Sequence, residues 1–350
     1  MLYSTQNPHG GDVYADKIQL DFSANTNPFG TPKAVLRAIE DSLQSIHQYP
    51  DPYCRELVGA ISQFEEVPED AVLCGNGAAE LIYSYISAVQ PKKAAVLAPT
   101  FSEYGLGLSR TGCPVVQFTL KQENGFALTE AFRDFLQETK PQAVFLCNPN
   151  NPTGKTADFS LLQSVLELCH REHIRLFADE CFLDLTDGAP GMKEFLQDYP
   201  ELFILKAFTK SYGMAGIRLG YGLSCDRELL KKMSRQVQPW NVSTPAQAAG
   251  VAALQQQDFL NKTRDLIREE RKWLRTELRK LDFWVCDSQT NFLLFRGPEG
   301  LCPKLKKLGI AIRNCDNYQG LGPGWYRIAV RLHSENEILI DAIRQETERR

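Results

Sequence analysis

Thr209, Lys210 and Arg218 are residues whose types and spacing could do chemistry. Lys210 follows the apolar run 202–208, a glycine-containing loop comes next, and Arg218 stands eight residues after the lysine. Lysine forms an imine with an aldehyde, and burial lowers its pKa and makes it a nucleophile. Arg218 can bind a phosphate bidentately, with the Thr209 hydroxyl as a further donor. The stretch suits a phosphorylated aldehyde, although a lysine at a strand end is also often a solvated surface charge.

Two further segments place polar groups just after apolar runs. Asp179 ends the run 174–179, 31 residues before Lys210. A carboxylate there could pair with a protonated pyridine nitrogen, or it could simply cap the strand. Asn151 lies in the segment Asn-Pro-Asn-Asn-Pro-Thr-Gly, which has the composition of a tight turn. Within that turn, the Asn151 amide could also donate to a ring oxygen.

A glycine turn, Gly-Asn-Gly at 75–77, separates an apolar run from a stretch with helical spacing that begins at Ala78 and Ala79. Small residues at such a junction let backbone N–H groups and the helix N-terminus hold an anion. A turn of this kind is weak evidence by itself. Together with the other three segments it indicates one binding site.

The elements that must position these residues are short buried strands alternating with helices. Strand-like apolar runs occupy residues 71–74, 94–99, 114–120, 143–149, 174–179, 202–208 and 219–224. Helical spacing lies between most of them, which favours βαβ units, an α/β class and a mainly parallel sheet of seven strands. Ligands bind outside the carboxyl ends of such strands, where the four segments lie.

The pattern changes from about residue 244. A long helical stretch precedes short strand-like runs, another short helix, two more strands and a closing helix from Ser334. We therefore expect a large domain at 48–243 and a smaller α+β domain formed by 1–47 and 244–350. We expect the long helix to bridge the two domains near residue 240.

Composition excludes several other classes of protein. The 350 residues carry 39 Lys and Arg against 43 Asp and Glu, a net charge of −4, which disfavours capture of nucleic acid or of an anionic membrane. The ten cysteines form no CxxC pair and no metal-ligand cluster, so we expect packed free thiols and no metal. Neither a signal peptide nor a membrane span is visible, and a cytoplasmic protein is expected.

The four segments, in order and spacing, resemble the fold-type I pyridoxal-phosphate enzymes of the aminotransferase class I/II superfamily, over nearly the whole chain. The resemblance implies that fold and pyridoxal 5'-phosphate as cofactor. It implies that Lys210 is the Schiff-base lysine and Asp179 the partner of the pyridine nitrogen. The remaining cofactor contacts that it implies are Asn151 at the ring hydroxyl, Thr209, Arg218, Ala78 and Ala79 at the phosphate, and Phe101 or Tyr104 stacked on the ring.

Tyr49, in the segment Gln-Tyr-Pro-Asp-Pro, matches a tyrosine that in this superfamily reaches the phosphate of the neighbouring subunit. By this resemblance the chain is expected to be a homodimer with shared active sites. A non-catalytic member would keep the fold but lose the lysine. Lys210, Asp179 and Arg218 are all present, which argues against such a member.

Two branches of the superfamily fit: histidinol-phosphate aminotransferases and L-threonine-O-3-phosphate decarboxylases of cobalamin biosynthesis. Both act on small amino-acid-like substrates that carry a phosphate. The opening His9-Gly-Gly, followed by the segment 21–28, resembles the decarboxylases, and this resemblance implies that Asn27 of that segment binds the substrate. Phe182 stands where most of the aminotransferases carry a tyrosine. The segments 313–318 and 326–331 also match the decarboxylase pattern.

The resemblance further implies roles for the cationic residues. Arg327 would bind the substrate carboxylate, which leaves Arg313, Arg331 and His9 for the substrate phosphate. Each of these could instead be an ordinary surface charge, and the division between the arginines stays open. The expected reaction is decarboxylation, through an external imine, of L-threonine O-3-phosphate to (R)-1-amino-2-propanol O-phosphate. Transamination of histidinol phosphate is the alternative.

Overall fold

The computed structural model describes residues 9–14 and 17–348, and its strands fall where the apolar runs predict them. The strands are β1 (Leu20–Asp21), β2 (Val72–Gly75), β3 (Ala94–Ala98), β4 (Val115–Thr119), β5 (Ala143–Cys147), β6 (Arg175–Asp179), β7 (Leu202–Ala207), β8 (Gly220–Leu223), β9 (Trp284–Val285), β10 (Phe292–Arg296), β11 (Ile310–Ala311), β12 (Arg313–Asn314) and β13 (Trp325–Ala329).

Helices connect most of these strands. They are α1 (Lys33–Ser42), α2 (Arg55–Glu65), α3 (Ala78–Val89), α4 (Ser102–Arg110), α5 (Ala131–Thr139), α6 (Phe159–Arg171), α7 (Phe208–Ser211), α8 (Arg227–Ser234), α9 (Thr244–Leu254), α10 (Gln257–Lys280), α11 (Leu301–Lys307) and α12 (His333–Glu348). No helix within residues 9–14 and 17–348 is long and apolar enough to cross a membrane.

The central sheet has seven strands in the order β2-β8-β7-β6-β5-β3-β4. Strand β8 is antiparallel to both of its neighbours, and the other six strands run in one direction. Strands β5 and β7 are buried over their whole length, which is why β5 reads as a continuous apolar run and β7 as an apolar run with a single lysine, Lys206. The predicted α/β fold with a mainly parallel seven-stranded sheet is confirmed.

Helices cover both faces of this sheet. Because side chains alternate along a strand, Val144 and Leu146 of β5 join one apolar core, while Phe145 and Cys147 join another. The ten cysteines are free thiols, and eight of them are buried. Most of them therefore serve as small apolar side chains in these cores.

The two ends of the chain meet beside the central sheet. A four-stranded antiparallel sheet, β12-β13-β10-β9, packs with α10, α11 and α12 around a third core. Near the N-terminus, β1 pairs in parallel with β11, and Phe22 is buried in that core. Helix α1 packs on α9 instead. The domain bounds at residues 48 and 244 remain a prediction.

Candidate active site

A cavity of about 230 Å³ lies at the carboxyl edge of the central sheet, between the sheet and the C-terminal strands. Eleven residues predicted for the site line it: His9, Ala78, Ala79, Phe101, Asn151, Asp179, Thr209, Lys210, Arg218, Arg313 and Arg327. Among the described residues that line it, four are Lys or Arg and Asp179 is the single carboxylate. The cavity therefore suits an anionic ligand.

The register of the sheet explains why distant segments meet here. Gly220, at the start of β8, pairs with Gly75 at the end of β2 and with Ala207 at the end of β7. Because β8 is antiparallel, its amino end lies at the same edge as the carboxyl ends of β2 and β7. Lys210 after β7, Arg218 before β8 and the start of α3 after β2 are therefore neighbours.

Lys210 projects from α7, a single helical turn directly after β7. The side chain is half-buried, and its Nζ lies 5.4 Å from the centre of the Phe182 ring. Burial, and then the positive charges of Arg327 and Arg218, lower the pKa of Lys210 to about 8. The amine is thus much closer to its neutral, nucleophilic form than an exposed lysine at neutral pH.

Asp179 is the last residue of β6 and is 5% exposed. Its Oδ2 accepts a 2.5 Å hydrogen bond from the hydroxyl of Tyr104, and its Oδ1 accepts one from the backbone N–H of Cys181. These bonds fix the orientation of the carboxylate at the floor of the cavity. A buried, ordered carboxylate of this kind can hold a protonated ring nitrogen.

The guanidinium of Arg218 lies against Gly77, next to the first turn of α3. A Cβ at Gly77 would come within 2.5 Å of Arg218 Nη2, and Gly77 has φ +80°. Only glycine therefore lets the guanidinium lie over this turn. The N–H groups in the first turn of α3 have no helical partner, so they and Arg218 together form an anion-binding corner, which Thr209 also lines.

Asn151 and Arg327 are linked inside the cavity. Nη1 of Arg327 donates to Oδ1 of Asn151, and its Nη2 donates to the carbonyl oxygen of Ser23 at 2.7 Å. Because its oxygen is occupied, Asn151 offers its amide nitrogen as a donor to a ligand. Arg327 is 5% exposed, and its buried Nε has no hydrogen-bond partner among the described residues. This nitrogen is one polar atom that an anionic ligand can satisfy.

The N-terminal segment contributes His9 to the cavity wall. Nε2 of His9 lies 2.6 Å from Oε1 of Glu103, whose Oε2 accepts from the hydroxyl of Tyr83 at 2.5 Å. The His9 ring also contacts Phe101, with 5.5 Å between ring centres. His9 is therefore held beside Phe101, the aromatic residue that lines the cavity.

Arg313, on β12, is a further cationic residue of the cavity wall. Its Nη2 donates to Oδ1 of Asn317 at 2.7 Å, and its guanidinium lies 5.3 Å from the centre of the Tyr318 ring. Residues Arg313 and Arg327 face each other across the β12–β13 pair, where they are register partners. Two guanidinium groups therefore line one side of the cavity.

Four residues predicted for the site do not line this cavity: Tyr49, Tyr104, Asn27 and Arg331. Tyr104 is fully buried and bonds Asp179, so Phe101 rather than Tyr104 is placed to contact a ring in the cavity. Asn27 donates from Nδ2 to the carbonyl oxygen of Ser211 and to Oγ1 of Thr263. Its contacts are with the protein interior.

Tyr49 lies at the surface, and Arg331 lies behind the cavity wall. Arg331 donates to the carbonyl oxygen of Asp21 and pairs with Glu335 at 2.8 Å. Tyr49 is 79% exposed and stacks on Trp240 at 4.5 Å. The role of Tyr49 in a neighbouring subunit stays a prediction.

Sequence reasoning missed Asn25, which lines the cavity two residues before Asn27. It is 2% exposed, and its buried Oδ1 has no partner among the described residues. Both asparagines stand in the same segment without regular secondary structure, and no feature of the sequence alone separates their orientations. Asn25 is thus a further polar group available to a ligand.

The donor set fits pyridoxal phosphate. It comprises a nucleophilic amine at Lys210, a carboxylate at Asp179 and an amide donor at Asn151. The anion-binding corner formed by Arg218 and the first turn of α3 completes it. No cluster of three or more His, Cys, Asp or Glu residues suited to a metal is present within residues 9–14 and 17–348.

Comparison with known proteins agrees with this geometry. Residues 17–343 match the family model for aminotransferase class I and II. The threonine-phosphate decarboxylase of Salmonella typhimurium is 37% identical over 329 residues, covering 93% of this chain and 90% of that protein.

Two solved structures share the fold. The histidinol-phosphate aminotransferase of Clostridium acetobutylicum has a TM-score of 0.88 at 30% identity, covering 95% of this chain and 100% of that one. The histidinol-phosphate aminotransferase of Sinorhizobium meliloti, solved in complex with pyridoxal-5'-phosphate, has a TM-score of 0.83 at 23% identity, covering 94% of this chain and 92% of that one. The chain therefore belongs to the aminotransferase class I and II family and is a pyridoxal-phosphate-dependent enzyme.

Proposed function

We propose that this enzyme decarboxylates L-threonine O-3-phosphate to (R)-1-amino-2-propanol O-phosphate, in the biosynthesis of cobalamin. The observation that carries the proposal is that Arg313, Arg327 and His9 line the same cavity as Lys210. The substrate carries a carboxylate and a phosphate on one short carbon skeleton. Cations beyond Arg218 are therefore needed to bind both groups.

Lys210, Asp179, Asn151, Arg218 and the first turn of α3 would hold pyridoxal phosphate. When bound, the cofactor supplies an electron sink for the bond that breaks at Cα of the substrate. Asp179 holds a proton at the ring nitrogen, and Tyr104 keeps the carboxylate in place. Phe101 provides an apolar face for the ring.

Arg327 is the residue we assign to the substrate carboxylate, because it is buried and has an unsatisfied Nε. Arg313 and His9 are left for the substrate phosphate. Holding both ends of the substrate would determine which bond at Cα breaks. Decarboxylation follows if this is the bond to the carboxylate: that bond breaks, carbon dioxide leaves, and one proton is added at Cα.

Lys210 is the group that can move this proton. Its Nζ lies in the cavity, and with a pKa of about 8 it can both donate and accept a proton near neutral pH. Phe182, at 5.4 Å from Nζ, adds no competing hydroxyl on that side.

A second candidate function is transamination of histidinol phosphate. It is favoured by the solved aminotransferase of Clostridium acetobutylicum, which matches over the whole of its chain at 30% identity. The same residues would serve that reaction if they held the substrate so that the bond from Cα to hydrogen breaks, because histidinol phosphate carries no carboxylate on Cα.

The experiment that separates the two is a comparison of kcat/KM for two assays on one preparation. One assay measures carbon dioxide from L-threonine O-3-phosphate, and the other measures glutamate from histidinol phosphate and 2-oxoglutarate. A higher kcat/KM for decarboxylation supports the proposal, and turnover of histidinol phosphate with 2-oxoglutarate alone contradicts it.

We also propose a cytoplasmic homodimer in which Tyr49 reaches the neighbouring active site.

A further inference from the structure

A buried cluster of charges lies directly beneath the short helix that carries Lys210. Its centre is Lys206 on β7, which is 8% exposed. Nζ of Lys206 lies 2.9 Å from Oδ1 of Asp184 and 3.5 Å from Oε1 of Glu65. A buried ammonium is costly unless it is paired, so these two carboxylates must stay in place for Lys206 to remain there.

The charges around Lys206 support this pairing. Burial alone lowers the pKa of Lys206, but the carboxylates of Asp184, Glu65 and Glu180 raise it above its ordinary value. Glu65 is itself fixed by a 2.5 Å hydrogen bond from the hydroxyl of Tyr221. The ammonium therefore stays charged and anchored.

Asp184 makes a second bond from the same carboxylate. Its Oδ2 accepts from the hydroxyl of Ser211 at 3.0 Å. Lys206 precedes Lys210 by four residues and Ser211 follows it directly, so one carboxylate joins the chain on both sides of Lys210. The carbonyl oxygen of Ser211 is held separately by Asn27 at 2.8 Å.

Asp184 also belongs to the segment that carries Asp179, five residues earlier. The bonds of Asp184 therefore connect the segment that carries the Asp179 carboxylate with the segment that carries the Lys210 amine. We infer that Asp184 is a positioning residue for Lys210, acting by holding Lys206 and Ser211 so that α7 presents the amine to the cavity beside Asp179. The inference depends on the proposed role of Lys210 and not on which substrate is decarboxylated or transaminated.

The test uses Ser211→Ala and Asp184→Asn, with Ser224→Ala as the matched control. Ser224 is also fully buried, and its hydroxyl bonds the carbonyl oxygen of Leu202 at the opposite end of β7. The full-length chain, freed of cofactor, is mixed with pyridoxal phosphate. Imine formation is followed by absorbance, and borohydride trapping with mass spectrometry identifies the modified lysine. Thermal unfolding of each variant is measured in parallel.

We expect Ser211→Ala and Asp184→Asn to slow imine formation at Lys210 by about tenfold, because a small misplacement of a reacting group has large rate effects, while Ser224→Ala stays within about twofold of the wild type. Equal rates for Ser211→Ala and the wild type would overturn the inference. So would an equal slowing by Ser224→Ala, because the effect would then follow general stability.

If Asp184→Asn does not fold, the rate of imine formation in Ser211→Ala tests the positioning role of Asp184 by itself. Lys210→Ala separates this inference from the proposed function. An imine that forms as fast in Lys210→Ala as in the wild type removes Lys210 from its proposed role, and the positioning inference with it. An imine at Lys210 whose formation Ser211→Ala leaves unchanged removes only the positioning role of Asp184.

Discussion

The hydroxyl of Tyr104 donates a hydrogen bond of 2.5 Å to Oδ2 of Asp179. Tyr104 is fully buried behind the cavity and stacks on Phe145 of the central sheet, with 5.6 Å between ring centres. It therefore fixes the position of the Asp179 carboxylate, which lines the cavity, relative to the central sheet.

We expect Tyr104→Phe to weaken binding of pyridoxal phosphate and to lower kcat. Loss of one partner leaves a buried carboxylate less satisfied, at a cost of about 1–3 kcal/mol. The matched control is Tyr85→Phe, because Tyr85 is equally buried and its hydroxyl has no hydrogen-bond partner among the described residues. Equilibrium titration with the cofactor compares the two. Equal affinities for the two variants would show that the bond to Asp179 has no role.

Gly77→Ala should reduce cofactor affinity strongly. The added Cβ would meet the guanidinium of Arg218 at 2.5 Å, and φ +80° strains any other residue. Gly216→Ala is the control, because its Cβ would have no described atom within 4 Å and its φ is not positive. The dissociation constant for pyridoxal phosphate is the measurement. An affinity that survives Gly77→Ala would remove Arg218 from the proposed phosphate contact.

Lys210 should react with aldehydes at a lower pH than an exposed lysine. Burial, followed by Arg327 and Arg218, lowers its pKa to about 8, so its neutral fraction rises through that pH. Reductive methylation of the cofactor-free chain, read by mass spectrometry of peptides, should favour Lys210 over the exposed Lys232 between about pH 7 and 9. Equal extents of methylation of Lys210 and Lys232 at each pH across this range would contradict the prediction.

Glu180 should make stability depend on pH. Burial raises the pKa of Glu180 to about 7, above its ordinary value of 4.5, against the opposing effect of Lys206. The folded state thus favours the protonated form. The stabilisation of the folded state by protonated Glu180 is complete below about pH 4.5 and is lost as the pH rises through about 7.

The wild type should therefore lose stability relative to Glu180→Gln between about pH 5 and 8, on the order of 1–3 kcal/mol. Urea unfolding at several pH values measures the difference. The exposed Glu66→Gln serves as the control. Identical pH profiles for the wild type and Glu180→Gln would show that Glu180 does not titrate in this range.

The strands and the main site residues could be predicted from the sequence because their signals are local. A parallel strand buried on both faces, such as β5, reads as one apolar run, and the residues that follow it must lie at the carboxyl edge. Asp179 is the last residue of one such run, and Lys210 lies two residues after another. Their meeting follows from the topology and requires no knowledge of side-chain orientation.

Residues whose roles depend on orientation were harder to predict. Asn27 and Arg331 face protein atoms, while Asn25 and Arg327 face the cavity, although each pair lies within one short segment. The pairing of Lys206 with Glu65 joins residues 141 positions apart, since α2 packs near β7 only in the folded chain. A lysine inside the apolar run 202–208 was the visible signal of that cluster.

The most direct test of the proposed activity is carbon-13 NMR of carboxyl-labelled L-threonine O-3-phosphate incubated with the enzyme in deuterium oxide. Decarboxylation predicts that the label appears in bicarbonate, and that the aminopropanol phosphate carries one deuterium at the former Cα. Label that remains in the substrate, or moves into a 2-oxo acid, while histidinol phosphate is converted with 2-oxoglutarate would contradict the account.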